Sequence, residues 1–508
     1  MDMRKAIVLA ALVSLWAGPA HAEPVGQFGD HRDVGEVAAP GRVTFAGDAY
    51  RVSASGANIW GAADAFHYAW TERSGDLHIA ADVAFEGAGT DPHRKAGLMI
   101  RQNLTPGSPY ADVMLHGDGM VALQYREVQD GPTRQIISAV AHPRRVRLER
   151  EGDFVYFSVA GPDGVLHHAG GSFRIPFQAP YLVGLALSAH NNAVTETAVF
   201  SNVELSVPQL AYVPDTGYAA QVEASLETIE VGGTHSRRVV RQFDSKIEAP
   251  NWSRDGKELI YNSGGKIWRV PVEGGEPVII DTGRFIDNNN DHGLSPDGKR
   301  LAISDQIEPD NLSRIHVVTL DGSAPIRTLV DDPRARSYWH GWSPDGRTLA
   351  FVHVGASDGS YDIWTVPLAG GPARPLVGGP GVDDGPEYSP DGQYLYFNST
   401  RSGAMALWRA NADGTDPVML THDPARRDWF PHLSPDGKWI AYVSFGDDIA
   451  LPDHPPNRTD VQIRLMPADG SGPPEVLTRL FGGQGTINVP SWSPDGKSIA
   501  FVSYRLKR

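Results

Sequence analysis

The strongest constraint on the fold is a tetrapeptide that occurs six times in the second half of the chain. Ser-Arg-Asp-Gly at 253–256 is followed by Ser-Pro-Asp-Gly at 295–298, 343–346, 389–392, 434–437 and 493–496. Successive copies are 42, 48, 46, 45 and 59 residues apart. Each copy precedes a β-type run, and a second β-type run follows about a dozen residues later. This period predicts a β-propeller, because a single blade cannot bury both of its faces.

The composition of the motif explains why it recurs. Glycine adopts a positive φ without a Cβ clash, and the proline ahead of it sets the φ angle of the turn. An Asp-Gly pair between two strands is also a strong hairpin signal. We therefore expect the six aspartates of the motif to hold turns and to take no part in chemistry.

The two ends of the repeat region predict how the ring closes. The chain stops after the first half of the sixth unit, at 486–504, whereas 225–242 has the pattern of the second half of a blade. Pairing of these two segments would remove an exposed sheet edge. The sequence therefore predicts six blades over 225–508, closed by both chain ends.

The N-terminus has the pattern of a signal peptide. Arg4 and Lys5 precede an apolar run from Ala6 to Trp16, and Ala20-His21-Ala22 supplies a cleavage site, which predicts a signal peptide at 1–22. The chain has no cysteine, so a lipid-anchored cysteine is excluded. No other apolar run approaches the roughly 20 residues of a membrane span. We expect a periplasmic protein that is neither a lipoprotein nor membrane-spanning.

The net charge limits the classes of partner. The chain has 45 basic and 61 acidic residues, for a formal charge of −16. Such a surface repels nucleic acid and anionic membranes. We therefore expect no nucleic-acid partner.

Residues 23–207 lack the tetrapeptide and read as a separate all-β domain. Short alternating strands such as Leu77–Phe85 are separated by glycine, proline and aspartate turns, a pattern typical of a β-sandwich. Residues 96–101, 123–126, 183–185 and 198–203 resemble strands of the concanavalin-like lectin and glucanase jelly-roll superfamily. The resemblance implies a fold, and many such domains bind glycans. Residues 208–224 are predicted to be a linker.

The six repeats over about 225–508 resemble the propeller of TolB-like proteins. TolB of the Tol–Pal envelope system has a small α/β domain before its propeller, whereas this chain has a predicted sandwich there. The resemblance implies a six-bladed propeller, but the different first domain weakens a Tol–Pal role.

The candidate site follows from the position of the motif. Because each innermost strand ends at its Asp-Gly turn, the segments just before the motifs converge at the opposite mouth of the propeller. They are rich in polar and aromatic side chains. The predicted ligand-binding residues are Asn290, Asp291, Trp339, Asp384, Glu387, Trp429, Gln484 and Asn488. The candidates for catalysis or for binding a divalent metal are His292, His340 and His432. A long insertion at 446–459, which contains Asp453 and His454, is a candidate lid.

Three functions remain open at this point. Acids, amides and aromatic rings at one opening suit a glycan, a cell-wall fragment or an envelope protein. Imidazoles also suit a divalent metal or general-base chemistry, and the propeller is similar to that of oligogalacturonate lyases, which use a histidine base and a bound metal. A Tol–Pal-like scaffold would use the outer surface instead, and the polar residues could also simply pack between blades.

Overall fold

The structure is a computed structural model that describes residues 24–208, 221–307, 311–355, 359–449 and 454–507. The predicted signal peptide and most of the predicted linker lie outside these ranges, as does Asp453 of the candidate lid. The described segments contain 37 strands and a 3₁₀ turn at Gln484–Thr486, so the all-β prediction is confirmed. No helix in them has the length and apolar character required to cross a membrane.

The first 14 strands form the N-terminal part of the protein. In chain order they are β1 Asp30–Val34, β2 Arg42–Ala46, β3 Ala49–Ala54, β4 Phe66–Arg73, β5 Leu77–Phe85, β6 Lys95–Arg101, β7 Tyr110–His116, β8 Val121–Arg126, β9 Arg134–Ile137, β10 Arg145–Glu151, β11 Phe154–Ala160, β12 Leu166–Arg174, β13 Tyr181–Ser188 and β14 Glu196–Ser206. One sheet has the order β12-β11-β10-β5-β14-β3-β2, and the other contains β1-β4-β13-β6-β7-β8-β9.

Both N-terminal sheets contribute to one hydrophobic core. Alternate residues of β5, such as Leu77 and Ile79, are buried in the same cluster as Leu98 of β6 and Val183 of β13. This follows from the period of two along a strand, which places every second side chain on one face. The structure therefore shows a two-sheet β arrangement, while its concanavalin-like relationship stays a prediction.

The remaining strands form the repeat region. They are β15 Val222–Glu230, β16 Arg237–Phe243, β17 Glu248–Trp252, β18 Glu258–Ser263, β19 Lys266–Pro271, β20 Val278–Ile279, β21 Asn288–Leu294, β22 Arg300–Ile307, β23 Leu312–Thr319, β24 Arg327–Val330, β25 Ala335–Trp342, β26 Thr348–Gly355, β27 Tyr361–Pro367, β28 Arg374–Val377, β29 Asp383–Tyr388, β30 Tyr394–Ser399, β31 Ala406–Asn411, β32 Val418–Met419, β33 Arg426–Leu433, β34 Trp439–Gly446, β35 Arg458–Pro467, β36 Glu475–Gly482 and β37 Ser498–Leu506. Strands β17 to β36 form five four-stranded antiparallel sheets in sequence order.

Five separate blades are present, so the predicted count of six is not confirmed. Strand β15 from the start of the region does pair with β37 from the end of the chain, over nine residue pairs from Val222–Leu506 to Glu230–Ser498. These strands, together with β16, belong to a ten-stranded sheet that continues into the N-terminal sheet. The continuation is a short parallel pairing of β16 with β9, at Arg237–Ile136 and Arg238–Ile137.

The repeated tetrapeptide makes the same turn in every blade. In the third copy, Ser343 Oγ donates a hydrogen bond to Asp345 Oδ1 at 2.6 Å and accepts one from the Thr348 backbone N–H at 2.9 Å. Gly346 has a φ of +67°, which favours glycine. The aspartate therefore stabilises the turn, as the sequence predicts.

Buried ion pairs join the two parts of the protein. Arg505 of β37 contacts Glu149 at 3.2 Å and Glu151 at 2.8 Å, both on β10. Arg237 of β16 pairs with Glu227 of β15 at 2.8 Å in a fully buried position, and it also donates to the Ser172 carbonyl of β12. Charges buried in this way must be paired, and these pairs link the closing strands of the propeller to the N-terminal sheets.

Candidate functional site

The first strand of each blade lies at the propeller axis. Strand β21 contacts β17 and β25, and β29 contacts β25 and β33, so these five strands surround a central channel. Each of them ends at an Asp-Gly turn. Residues at the start of the strands and residues at their ends therefore line opposite ends of the channel, and each end has a cavity.

The cavity at the start of the inner strands is small and polar. Its volume is about 210 Å³, and its lining residues are Asn289, Asn290, Asp291, Gln306, Tyr338, His340, Val352, Tyr361, Asp384, His454 and Gln484. We call it the polar cavity. Five of the residues predicted for the site line it, namely Asn290, Asp291, His340, Asp384 and Gln484.

A buried row of carboxylates and imidazoles forms one side of the polar cavity. His340 Nε2 lies 3.2 Å from Asp384 Oδ1 and 3.7 Å from Asp291 Oδ1. The second oxygen of Asp384 lies 3.0 Å from His454 Nε2. Asn488 donates to Asp291 at 2.6 Å. The two carboxylates are thus held in place by neighbours on other blades.

The charges in this row are set by burial and by mutual contact. Burial raises the pKa of Asp291, although His340 opposes this effect. Burial would also raise the pKa of Asp384, but hydrogen bonds from His340 and His454 hold that pKa well below its usual range. Burial would lower the pKa of His340, yet the two carboxylates raise it above its ordinary value. His340 is therefore held towards its protonated form, beside an ionised Asp384.

The cavity at the opposite end has a different chemistry. It has a volume of about 370 Å³ and is lined by prolines of the turns and by aromatic residues at the strand ends. The turn prolines are Pro296, Pro344, Pro390, Pro435 and Pro494, and the aromatic residues are Trp252, Trp339, Trp342, Tyr388 and Trp492. We call this cavity the proline funnel.

Several buried polar groups in the proline funnel have no hydrogen-bond partner. They are the indole N–H groups of Trp252 and Trp339 and both amide atoms of Asn251. Arg254 takes the place of the proline in the first tetrapeptide, and its guanidinium donates to the Ser295 and Leu294 carbonyls of the next blade. A buried polar group without a partner is costly, so these groups are candidates for contacts with a ligand or with ordered water.

The remaining predicted residues do not line the polar cavity. Trp339 and Glu387 line the proline funnel instead. His432 Nδ1 lies 2.8 Å from Glu387 Oε2, and Glu387 also accepts the Leu433 backbone N–H at 3.0 Å. Trp429 is fully buried, and its ring centroid lies 5.1 Å from that of His454. His432 and Trp429 thus support the walls of the channel.

The three histidines predicted as metal ligands are not brought together. His292 is fully buried, and burial lowers its pKa to about 4. His340 and His432 contact different carboxylates. Within the described ranges, the group of possible metal ligands whose atoms all lie within 4.8 Å of one another is His78, Glu149 and Glu151 in the N-terminal part. The Arg505 guanidinium contacts both of these glutamates, so a cationic side chain already neutralises them.

Two residues of the proline funnel, Arg254 and Asn251, are absent from the set of predicted site residues. The signal for Arg254 was present, since it is the one residue that replaces proline among the six motifs. Asn251 belongs to the polar segment before the first motif, but its position beside the funnel depends on the register of β17, which shifts between Glu248 and Asn251.

Comparison with known proteins supports the propeller assignment. The family model described as the TolB beta propeller domain matches residues 295–453. A Tol–Pal system protein TolB from Francisella tularensis is 24% identical over 296 residues, which cover 56% of this chain and 63% of that protein. The chain therefore spans less than two thirds of that relative.

Two similar proteins from Agrobacterium are covered almost completely. A solved structure from Agrobacterium tumefaciens, provisionally named TolB, has a TM-score of 0.52 and 42% identity, and the match covers 56% of this chain and 99% of that one. An uncharacterized protein from Agrobacterium fabrum is 44% identical over 290 residues, which cover 57% of this chain and 95% of the relative. On this evidence the chain belongs to the family of TolB-like β-propeller proteins.

Proposed function

We propose that this chain is an exported, periplasmic recognition protein that binds an envelope glycan or cell-wall fragment in the polar cavity. The observation that carries the proposal is the pair of buried carboxylates, Asp291 and Asp384, on either side of His340. Sugar hydroxyls both donate and accept hydrogen bonds. The carboxylates supply acceptors, and the buried Asn290 amide N–H, which has no partner, supplies a donor. Tyr338 and Tyr361 add aromatic faces to the lining.

A glycan array tests this proposal. The array should contain peptidoglycan fragments, N-acetylglucosamine oligomers and oligouronides, and hits should be titrated by calorimetry. Asp384→Asn should weaken a specific hit by about 10- to 100-fold, because a hydrogen bond to a charged group contributes about 1.5–3 kcal/mol. Glu273→Gln, which changes an exposed carboxylate, is the control. The proposal would be contradicted if the protein bound no glycan on the array, or if Asp384→Asn bound a hit as tightly as the wild type.

The geometry favours binding over lyase chemistry. A histidine that acts as a general base must be neutral at the working pH, whereas His340 is flanked by two carboxylates that raise its pKa. The three predicted metal-ligand histidines are also separated. Incubation of the protein with oligogalacturonates, followed by ultraviolet absorbance of unsaturated products, tests the enzymatic alternative. Turnover that disappears in His340→Ala would favour the enzyme.

A second candidate function is docking of an envelope protein segment in the proline funnel, as part of a Tol–Pal-like scaffold. The specific observation is the set of unused hydrogen-bonding groups there: the indole N–H groups of Trp252 and Trp339 and the amide of Asn251. A primary amide can pair with the N–H and C=O of an extended peptide, and the indoles can donate to further carbonyls. Arg254 adds a positive charge, so an acidic segment is the preferred partner.

Substitution of Arg254 tests whether an acidic peptide segment binds in the proline funnel. Arg254→Pro restores the tetrapeptide of the other five units, so the turn should keep its geometry while the guanidinium is lost. Fluorescence anisotropy with a library of acidic and neutral octapeptides would measure binding. Acidic peptides should bind the wild type and lose about tenfold or more in Arg254→Pro, the loss expected for a charged hydrogen bond. Equal binding by both proteins would remove the candidate.

The architecture of the propeller and of the N-terminal sheets can also be described more finely. We propose that β37, β15 and β16 act as a sixth blade, because Trp492 forms a bridge with Ile499 on the axial side of β37. Pro490, Trp492 and Pro494 then complete the lining of the proline funnel. The N-terminal sheets would be a concanavalin-like sandwich that buttresses this blade.

A further inference from the structure

Three histidines lie side by side at one end of the N-terminal sheet, far along the chain from the propeller site. His116 is the last residue of β7, His190 follows β13 by two residues, and His93 precedes β6 by two residues. Strands β7, β6 and β13 are neighbours, and Lys95 of β6 is paired with both His116 and Ser188. The register therefore brings the three imidazoles to one sheet end.

His93 lies between the other two rings, at distances close to those of a metal-bound cluster. The ring centroid of His93 lies 6.2 Å from that of His116 and 5.5 Å from that of His190. Imidazoles that bind one zinc ion at about 2.0–2.1 Å in tetrahedral geometry have ring centroids roughly 5 Å apart. Their nitrogen atoms do not yet converge on one point, but His93 is exposed and no hydrogen bond holds its ring, so it can turn towards the other two.

The imidazole of His116 makes no hydrogen bond in the structure. The residue is 3% exposed, and neither ring nitrogen has a hydrogen-bond partner. Leaving a buried polar group unsatisfied is unfavourable, and such a group in a native protein usually has an ion or another role to explain it.

Asp91 orients the cluster in the way that a carboxylate orients metal-binding histidines. Its Oδ2 lies 3.2 Å from His190 Nδ1, which leaves Nε2 of that ring available. Its Oδ1 accepts the His93 backbone N–H at 2.7 Å and so holds the backbone of the third histidine in place. A histidine whose second nitrogen contacts a carboxylate is the usual outer arrangement of a metal site.

Two cations lie near the cluster, and each already has partners of its own. Arg94 pairs with the buried Glu196 at 2.5 Å. Lys95 lies opposite His116 in the pairing of β6 with β7. Its ammonium group donates to Asn58 Oδ1 at 2.8 Å and to the Ile59 carbonyl at 2.9 Å, and the negative charge of Asp112 acts on it as well. These contacts satisfy the hydrogen-bond donors of the Lys95 ammonium and offset its positive charge.

We propose that His93, His116 and His190 form a binding site for a divalent transition metal of the zinc, copper and nickel class, with Asp91 as the carboxylate that positions His190. Imidazole ligands suit these ions. The site is independent of the proposed ligand cavity of the propeller, so the two proposals can fail separately.

Metal binding by the full exported chain, prepared without a histidine tag and stripped with a chelator, tests the site. Calorimetry with Zn²⁺, and elemental analysis after dialysis, should show one ion per chain. His93→Ala removes an exposed ligand without disturbing the core and should weaken Zn²⁺ binding about tenfold or more. Asp91→Asn should weaken it less, while His167→Ala, an exposed histidine of the same part of the protein, should leave it unchanged.

A spectroscopic readout separates a true site from loose association. Co²⁺ bound by three imidazoles should give a visible absorption spectrum that His93→Ala and His190→Ala both change. Absence of stoichiometric binding, or binding that is equal in His93→Ala and the wild type, would overturn the proposal. Loss of binding in His78→Ala with retention in His93→Ala would also overturn it, because the ion would then lie beside Glu149 and Glu151.

Discussion

Removal of the Arg505 guanidinium should destabilise the protein by an amount that can be worked out from Glu149. Burial would raise the pKa of Glu149, but the charge of Arg505 and its hydrogen bond lower that pKa from 4.5 to about 2. A fall of that size corresponds to about 3 kcal/mol of stability at neutral pH. Arg505→Met leaves the buried carboxylate with weaker partners, namely Ser158 at 3.0 Å, His78 at 3.4 Å and Arg147 at 3.5 Å. Because these partners retain part of the stabilisation, we expect a loss of about 2–3 kcal/mol.

The lowered pKa of Glu149 also determines how the loss of stability depends on pH. The pKa of Glu149 is lower in the folded protein than in the unfolded chain. Its contribution is therefore complete above about pH 5 and is lost as the pH falls towards 2. In Arg505→Met that contribution is missing at every pH. The difference in unfolding free energy between the wild type and the variant should therefore be largest at pH 7 and should shrink on acidification to pH 3.

Urea unfolding, followed by tryptophan fluorescence at pH 7 and pH 3, measures this difference. Arg238→Met is the matched control, because Arg238 and Glu273 form an exposed pair that contributes little to stability. A double-mutant cycle with Glu149→Gln isolates the coupling of the pair. A difference below about 1 kcal/mol at pH 7, or an equal difference at both pH values, would refute the reasoning.

Three further variants test other parts of the structure. Asp345→Ala removes the acceptor that holds Ser343 and the Arg347 backbone N–H in a repeat turn, and it should lower the free energy of unfolding by about 1–2 kcal/mol in chemical denaturation. Gly184→Ala places a Cβ 1.8 Å from the Ala69 carbonyl oxygen, so thermal unfolding should show a loss of about 3 kcal/mol or more. Asp384→Asn removes a carboxylate that raises the pKa of His340, and histidine NMR titration should place that pKa lower than in the wild type.

Sequence reasoning was most successful where structure is local. The hairpin turns depend on four consecutive residues, such as 343–346, and the strands on alternation within a few more. The pairing of β15 with β37 was also predictable, since each segment has the pattern of half a blade. The count of blades was not confirmed because β16 pairs with β9 as well. That contact involves two residue pairs between segments about 100 residues apart, and no local pattern indicates it.

The candidate site was predicted only in part because the inner strands are irregular. Strict alternation would give His292 and His340 the same direction, since each stands three residues before its serine. The pairing register shifts between Asn288 and His292 in β21 and between Trp339 and Gly341 in β25. A bulge re-aims the side chains that follow it. His340 consequently faces the polar cavity, whereas His292 is enclosed.

Because of the same irregularity, neighbouring residues of one inner strand line two different cavities. Trp339 and His340 are consecutive, yet the first lines the proline funnel and the second lines the polar cavity. The funnel offers N–H donors and a guanidinium, and the carboxylate in its lining, Glu387, already contacts His432 and the Leu433 backbone N–H. The cavity offers two buried carboxylates. A ligand rich in acceptors suits the first and is repelled by the second, and a ligand rich in hydroxyl donors has the opposite preference. Arg254→Pro should therefore weaken binding only at the funnel, and Asp384→Asn only at the cavity. A variant that weakened both ligands equally would mean that the channel acts as a single site.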